Sequence, residues 1–76
     1  MNSLYQQCLD VIANNINSVA DKRLFNQYPI EYFHSQFTYV RLKKWEIELV
    51  LAEYTFLPRV IYNDLKKTCL EPFYWI

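Results

Sequence analysis

Seventy-six residues with eight basic and eight acidic side chains carry no net charge at neutral pH, and 53% of them are apolar and 18% aromatic. A chain of this length builds one small domain, and this one has more apolar surface than so modest a core hides. Balanced charge gives no basis for gripping nucleic acid, and no apolar run approaches a membrane span. Glycine is absent altogether. Phosphate-cradling loops, dinucleotide fingerprints and nucleophile elbows all need it, because only glycine lets backbone amides wrap closely around a ligand. Asn-Gly hairpin turns are missing for the same reason, which favours helices over a β-meander.

The pattern reads as an all-α chain, a small bundle of about four short helices over residues 1–76. Asn2 or Ser3 can cap the first helix by accepting a bond from an otherwise orphan amide. The helix is expected to run to about Ser18–Ala20, followed by a connector, "ADKRLFNQY". Pro29 suits the first turn of a second helix, "PIEYFHSQF", since its missing amide costs nothing there. The β-branched "TYV" is expected to break regularity. A third helix is read in "RLKKWEIELVLAEY", with Leu42, Trp45, Leu49 and Ala52 on one face. Alternation in "WEIELVLAEY" also fits a strand, but Glu, Leu, Ala and Lys dominate the window and favour helix. Pro58 restarts the chain, Ile61, Leu65 and Cys69 make the seam of a fourth helix, and Pro72 ends it. The expected core holds Leu9, Ile16, Leu42, Trp45, Leu49, Ile61 and Leu65. The apolar ending "EPFYWI" suggests a piece of a larger protein.

Groups that carry chemistry are few. Cys8 and Cys69 are widely separated in a chain without a secretory signal, and they read as reduced, buried, structural thiols in a cytoplasmic or nuclear setting, with a disulfide between them as the alternative. The single His34 cannot complete a zinc site with two cysteines and reads as an exposed or rim residue. The charges of "RLKK" and "DLKK" read as solvated faces or complements to helix ends. No catalytic group, metal ligand set, cofactor or small-molecule substrate is expected.

The first helix is the informative one. Leu4, Cys8 and Ile12, four apart, form one stripe with Val11 and Val19 beside it. Leu9, Ala13 and Ile16 extend the apolar sector to about 200° of the girth, wider than the stripe of an ordinary surface helix. Such a helix must be covered from two sides. Core packing and partner binding are both open to the Leu4–Cys8–Ile12 stripe.

Ser3-Leu4-x-x-x-Cys8-x-x-x-Ile12 resembles the BC-box, the elongin C-binding motif of substrate receptors for cullin–RING ubiquitin ligases. In that family the Leu enters a pocket on elongin C, and the Cys and the following aliphatic residue pack beside it. The resemblance assigns those roles to Leu4, Cys8 and Ile12 within a BC-box-like helix over 3–20. A cullin box follows in the same family, with a Pro opening a helix of spaced hydrophobes. Tyr28-Pro29-Ile30-Glu31-Tyr32-Phe33 resembles it, over 28–38, with Pro29, Tyr32, Phe33 and Phe37 as the cullin-facing residues. The fit has two frames: Gln36 stands four beyond Tyr32, whereas Phe37 stands four beyond Phe33 but farther from Pro29. The Leu-Pro-x-Pro of one cullin-box type is absent.

"CLDVIANNINSVADKRLFNQYPIEYF" also resembles the BACK region that follows BTB domains, another cullin-adaptor element. The two resemblances differ on whether the stripe faces elongin C or the chain's own core. The expectation is a non-enzymatic adaptor segment that binds elongin C, with elongin B, and a cullin. The alternatives are a small helical interaction subunit of a larger complex and a BACK-like module.

Overall fold

A computed structural model describes residues 3–33 and 35–73. The expectations for an Asn2 cap, for His34 and for the tail at 74–76 lie outside the described residues. Three α-helices follow one another: α1, Leu4–Gln27; α2, Gln36–Leu51; and α3, Arg59–Leu70. Short 3-10 turns at Ile30–Phe33, Ala52–Tyr54 and Glu71–Phe73 complete the order, and no strand occurs among the described residues. The all-α class holds, with three α-helices among the described residues in place of about four. Among the described residues, no helix is long and apolar enough to cross a membrane.

The first correction concerns the length of α1. Ser3 caps it as expected, its Oγ accepting from the Gln6 amide at 3.1 Å. The helix then runs through 21–27, where a connector was expected. Nothing in "DKRLFNQ" breaks a helix, and Leu24 extends the buried stripe of Leu9, Ile16 and Ala20 by one more turn. The stop comes from Pro29, which forces the residue before it out of helical geometry. Tyr28 is accordingly extended, at φ −128 and ψ 137.

The expected second helix, "PIEYFHSQF", is the next correction. Only Ile30–Phe33 coil, as a 3-10 turn, and Gln36 and Phe37 already belong to α2. "TYV" does not break regularity: it lies inside α2. β-branched residues cost a helix only a few tenths of a kcal/mol each. Tyr39 repays that cost, because its hydroxyl donates to Asp21 on α1 at 2.8 Å and its ring stacks on Phe25 with centroids 6.0 Å apart.

The third correction rotates α2. Its buried residues are Glu46, Ile47, Val50 and Leu51. Trp45 and Leu49, expected in the core, are 62% and 41% exposed, while Leu42 and Ile61 are half-buried. Apolar residues lie on both sides of this helix, so spacing alone did not choose between them. α2 turns Ile47, Val50 and Leu51 onto the core, and the Glu46 carboxylate enters the same side where α1 brings partners to it. Gln27 donates to its Oε1 at 3.0 Å, and the Arg23 Nε lies 3.4 Å from its Oε2. A second clamp joins the same helices, with Lys43 3.2 Å from Asp21.

The core lies between the three helices, with Leu9, Ile16 and Ala20 from α1, Ile47, Val50 and Leu51 from α2, and Leu65, Cys69 and Leu70 from α3. Near the start of α1, the Tyr5 hydroxyl donates to Asp64 of α3 at 2.6 Å. The radius of gyration is 13.3 Å, against about 11 Å for an average compact chain of this length. Among the described residues, one face of α1 and one face of α2 stay uncovered.

The rotation of α2 has a measurable consequence. Ile47→Ala is expected to cost about 2–4 kcal/mol and Trp45→Ala about 1 kcal/mol or less, as read by urea unfolding in dilute solution. The reverse order would return Trp45 to the core.

Candidate interaction surfaces

Two surfaces are built from the residues singled out by sequence. The first is the outward side of α1. Helical spacing places Leu4, Cys8, Val11 and Val19 on one sector, away from the buried stripe of Leu9, Ile16, Ala20 and Leu24. All four outward residues are exposed, Leu4 to 77%. Ile12 sits at the edge of the sector, half-buried and packed against the core. The three stripe residues therefore do not share one environment: Leu4 and Cys8 stand free, and Ile12 is anchored.

The second surface is the corner between α1 and α2, which is packed with aromatic rings. Tyr28 and Tyr32 stack with centroids 4.9 Å apart. Phe33 lies edge-on to Phe25 at 5.6 Å and to Tyr39 at 5.8 Å. Phe33 is thus a half-buried part of the corner itself, whereas Pro29, Tyr32 and Phe37 are exposed. Both frames of the cullin-box resemblance meet here, because the corner brings Tyr32 and Phe37 to one open groove of about 350 Å³.

The groove also contains residues that the sequence reading placed elsewhere or passed over: Tyr28, Arg41, Leu42 and Trp45. The Arg41 guanidinium lies 5.5 Å from the centre of the Phe37 ring, a cation–π contact. The signal was present in the spacing of Leu42, Trp45, Leu49 and Ala52, which was assigned to the core.

Family models, curated proteins and solved structures gave no match to this chain. The site is accordingly described by its own chemistry. Among the described residues, no group of three or more His, Cys, Asp or Glu side chains is placed to hold a metal ion. Both cysteines are free; Cys69 is buried in the core as expected, whereas Cys8, also expected to be buried, is exposed, because its helical position falls outside the stripe of Leu9, Ile16, Ala20 and Leu24. The alternative of a disulfide between them is not realised.

Burial pushes the Cys69 thiol up from 9.0 to about 11. Tyr39 is also raised, first by desolvation and then by its bond to Asp21. Tyr5 is raised first by its bond to Asp64. In each case the folded state holds the proton more tightly than the unfolded chain does. The corresponding stability is complete below the unfolded values and is lost as pH rises through the folded ones. Melting temperature should therefore fall between about pH 9 and pH 11, and Cys69→Val should remove the earliest part of that fall. A thiol reagent should modify Cys8 promptly in the native protein and Cys69 only on unfolding. Equal labelling rates for the two thiols would contradict the burial of Cys69.

Proposed function

We propose that this chain is a non-enzymatic adaptor segment of a cullin–RING ubiquitin ligase. α1 offers Leu4, Cys8 and Ile12 to elongin C, which is bound to elongin B. The corner carrying Pro29, Tyr32, Phe33 and Phe37 receives a cullin, in a cytoplasmic or nuclear setting. The observation that carries this reading is the exposure of Leu4 and Cys8 on the outward side of the first two turns of α1. A leucine held in water at the start of a capped helix is preorganised for a partner's pocket. Burying it there is favourable by about 1.5–3 kcal/mol. Ile12, half in the core, fixes the stripe to the body of the molecule.

A second reading, a small helical interaction subunit of a larger complex, draws on a separate observation. Trp45 and Leu49 on the outward face of α2 are exposed and are not among the residues the adaptor reading uses, although the groove beside Trp45 also contains Tyr32 and Phe37. The BACK-like reading needs Cys8 to face the chain's own core, and the exposure of Cys8 lends it no support.

Co-purification with elongins B and C tests the adaptor reading. Leu4→Ala with Cys8→Ala should weaken binding roughly thirty- to thousandfold, as for a truncated interface anchor. The double variant should keep its helical circular dichroism and melt near the wild-type temperature, because both side chains lie outside the core. Wild-type protein that fails to bind elongin C overturns the BC-box reading. A double variant that melts early returns the stripe to the core.

A further inference from the structure

The outward face of α2 has a property that an apolar patch does not have by itself: its halves are complementary. Thr38, Arg41, Leu42, Trp45, Glu48 and Leu49 recur at helical spacing on the side away from Ile47, Val50 and Leu51. The groove lies on the N-terminal side of Trp45, with Phe37, Arg41 and Leu42 in its walls. On the C-terminal side Leu49 projects. Arg41 and Glu48 stand on opposite sides of Trp45, seven residues apart and both exposed. The described ion pairs are Arg23–Glu46 and Lys43–Asp21, so Arg41 and Glu48 have no charged partner among the described residues.

We propose that this face is a self-association surface, on which a second copy of the chain packs its own α2 antiparallel across Trp45. A two-fold axis at Trp45 sets Arg41 of one copy opposite Glu48 of the other, and the same contact repeats on the other side. It also brings Leu49 of each copy to the groove of its partner. This is what an isologous interface requires: a hollow and a knob, a positive and a negative charge, at matching distances from one axis. A one-helix contact is short, because sixteen residues span roughly 24 Å. It covers less than the roughly 1,600 Å² of a standard stable interface, and the dimer is therefore concentration-dependent.

Charge reversal separates this arrangement from general stickiness. Sedimentation equilibrium should show wild-type protein passing from monomer to dimer as concentration rises. Arg41→Glu sets two acidic pairs against each other, and Glu48→Arg sets two basic ones. Two-fold symmetry makes each substitution act twice, and each variant alone should dimerise about tenfold or more weakly. An equimolar mixture of the two restores both opposite-charge contacts and should recover wild-type association as a heterodimer. A folding defect cannot produce that recovery.

A wild-type chain that stays monomeric at the highest concentration overturns the proposal. So does dimerisation indifferent to both reversals, or a mixture that does not recover. A monomer that binds a cullin through Trp45 also overturns it, by giving the face a different occupant. Leu4 and Cys8 lie on α1, away from this face. Leu4→Ala with Cys8→Ala should leave dimerisation unchanged, so failure of the adaptor reading and failure of this proposal give different results.

Discussion

The buried stripe of α1, formed by Leu9, Ile16, Ala20 and Leu24, is the surface on which the rest of the molecule is assembled. α2 and α3 both pack on α1. Burial on α1 therefore decides which side of every other helix is inside. Ala20 lies in the stripe with no exposed surface. Its small side chain suits close approach of a neighbouring helix, and the larger Ile16 and Leu24 fill the space on either side. Once the helices have packed on one stripe, the opposite side of α1 and the outer side of α2 have nothing left to cover them. Much of the apolar excess of the composition is expressed as those two faces, with Ile30, Phe56 and Val60 exposed elsewhere.

Polar contacts then set the rotation of the helices. Glu46 is nearly inaccessible to solvent: its Oε1 accepts from Gln27, while its Oε2 accepts no hydrogen bond among the described residues and lies 3.4 Å from the Arg23 Nε as an ion pair, both partners standing in the last turns of α1. A buried carboxylate left without such partners costs several kcal/mol, and this one stays inside only while α1 extends past Ala20. The length of α1 and the face that α2 buries are consequently one feature. Asp21, with Tyr39 and Lys43, adds a second tie between the same helices. The aromatic corner follows from both: with α1 ending at Pro29 and α2 starting at Gln36, the chain turns through Tyr28, Tyr32 and Phe33, whose rings pack where no glycine is available.

Much of this was legible in the sequence, and the failures share one physical source. The absence of glycine, the Ser3 cap, the stop imposed by prolines and the apolar seam of α3 all depend on local chemistry, and local chemistry can be read from residues. The burial of Leu9, Ile16 and Leu65 follows from periodicity. The exposure of Trp45 and Leu49 does not, because α2 has two apolar faces and only its neighbours choose between them. The end of α1 was missed for a related reason: "DKRLFNQ" is polar enough to suggest a connector, and only the packing of Leu24 and the partners of Glu46 make it helix. Of the candidate site, the α1 stripe was legible as a pattern, and its division into free Leu4 and Cys8 and anchored Ile12 needed the fold. The groove at the corner was half legible, through Tyr32 and Phe37. Arg41 and Trp45 join it only because α2 turns that side outward.

The central claim is that an outward stripe at the start of α1 is a docking surface, held ready by a core that does not need it. Chemical-shift mapping of isotope-labelled chain titrated with the elongin B–elongin C complex tests this directly. The account predicts that the amides of residues 4–12 shift first and most, while those of Ile47, Leu51 and Leu65 keep their positions. Absence of any shift, or shifts centred on the core residues with the amides of residues 4–12 unchanged, would contradict it.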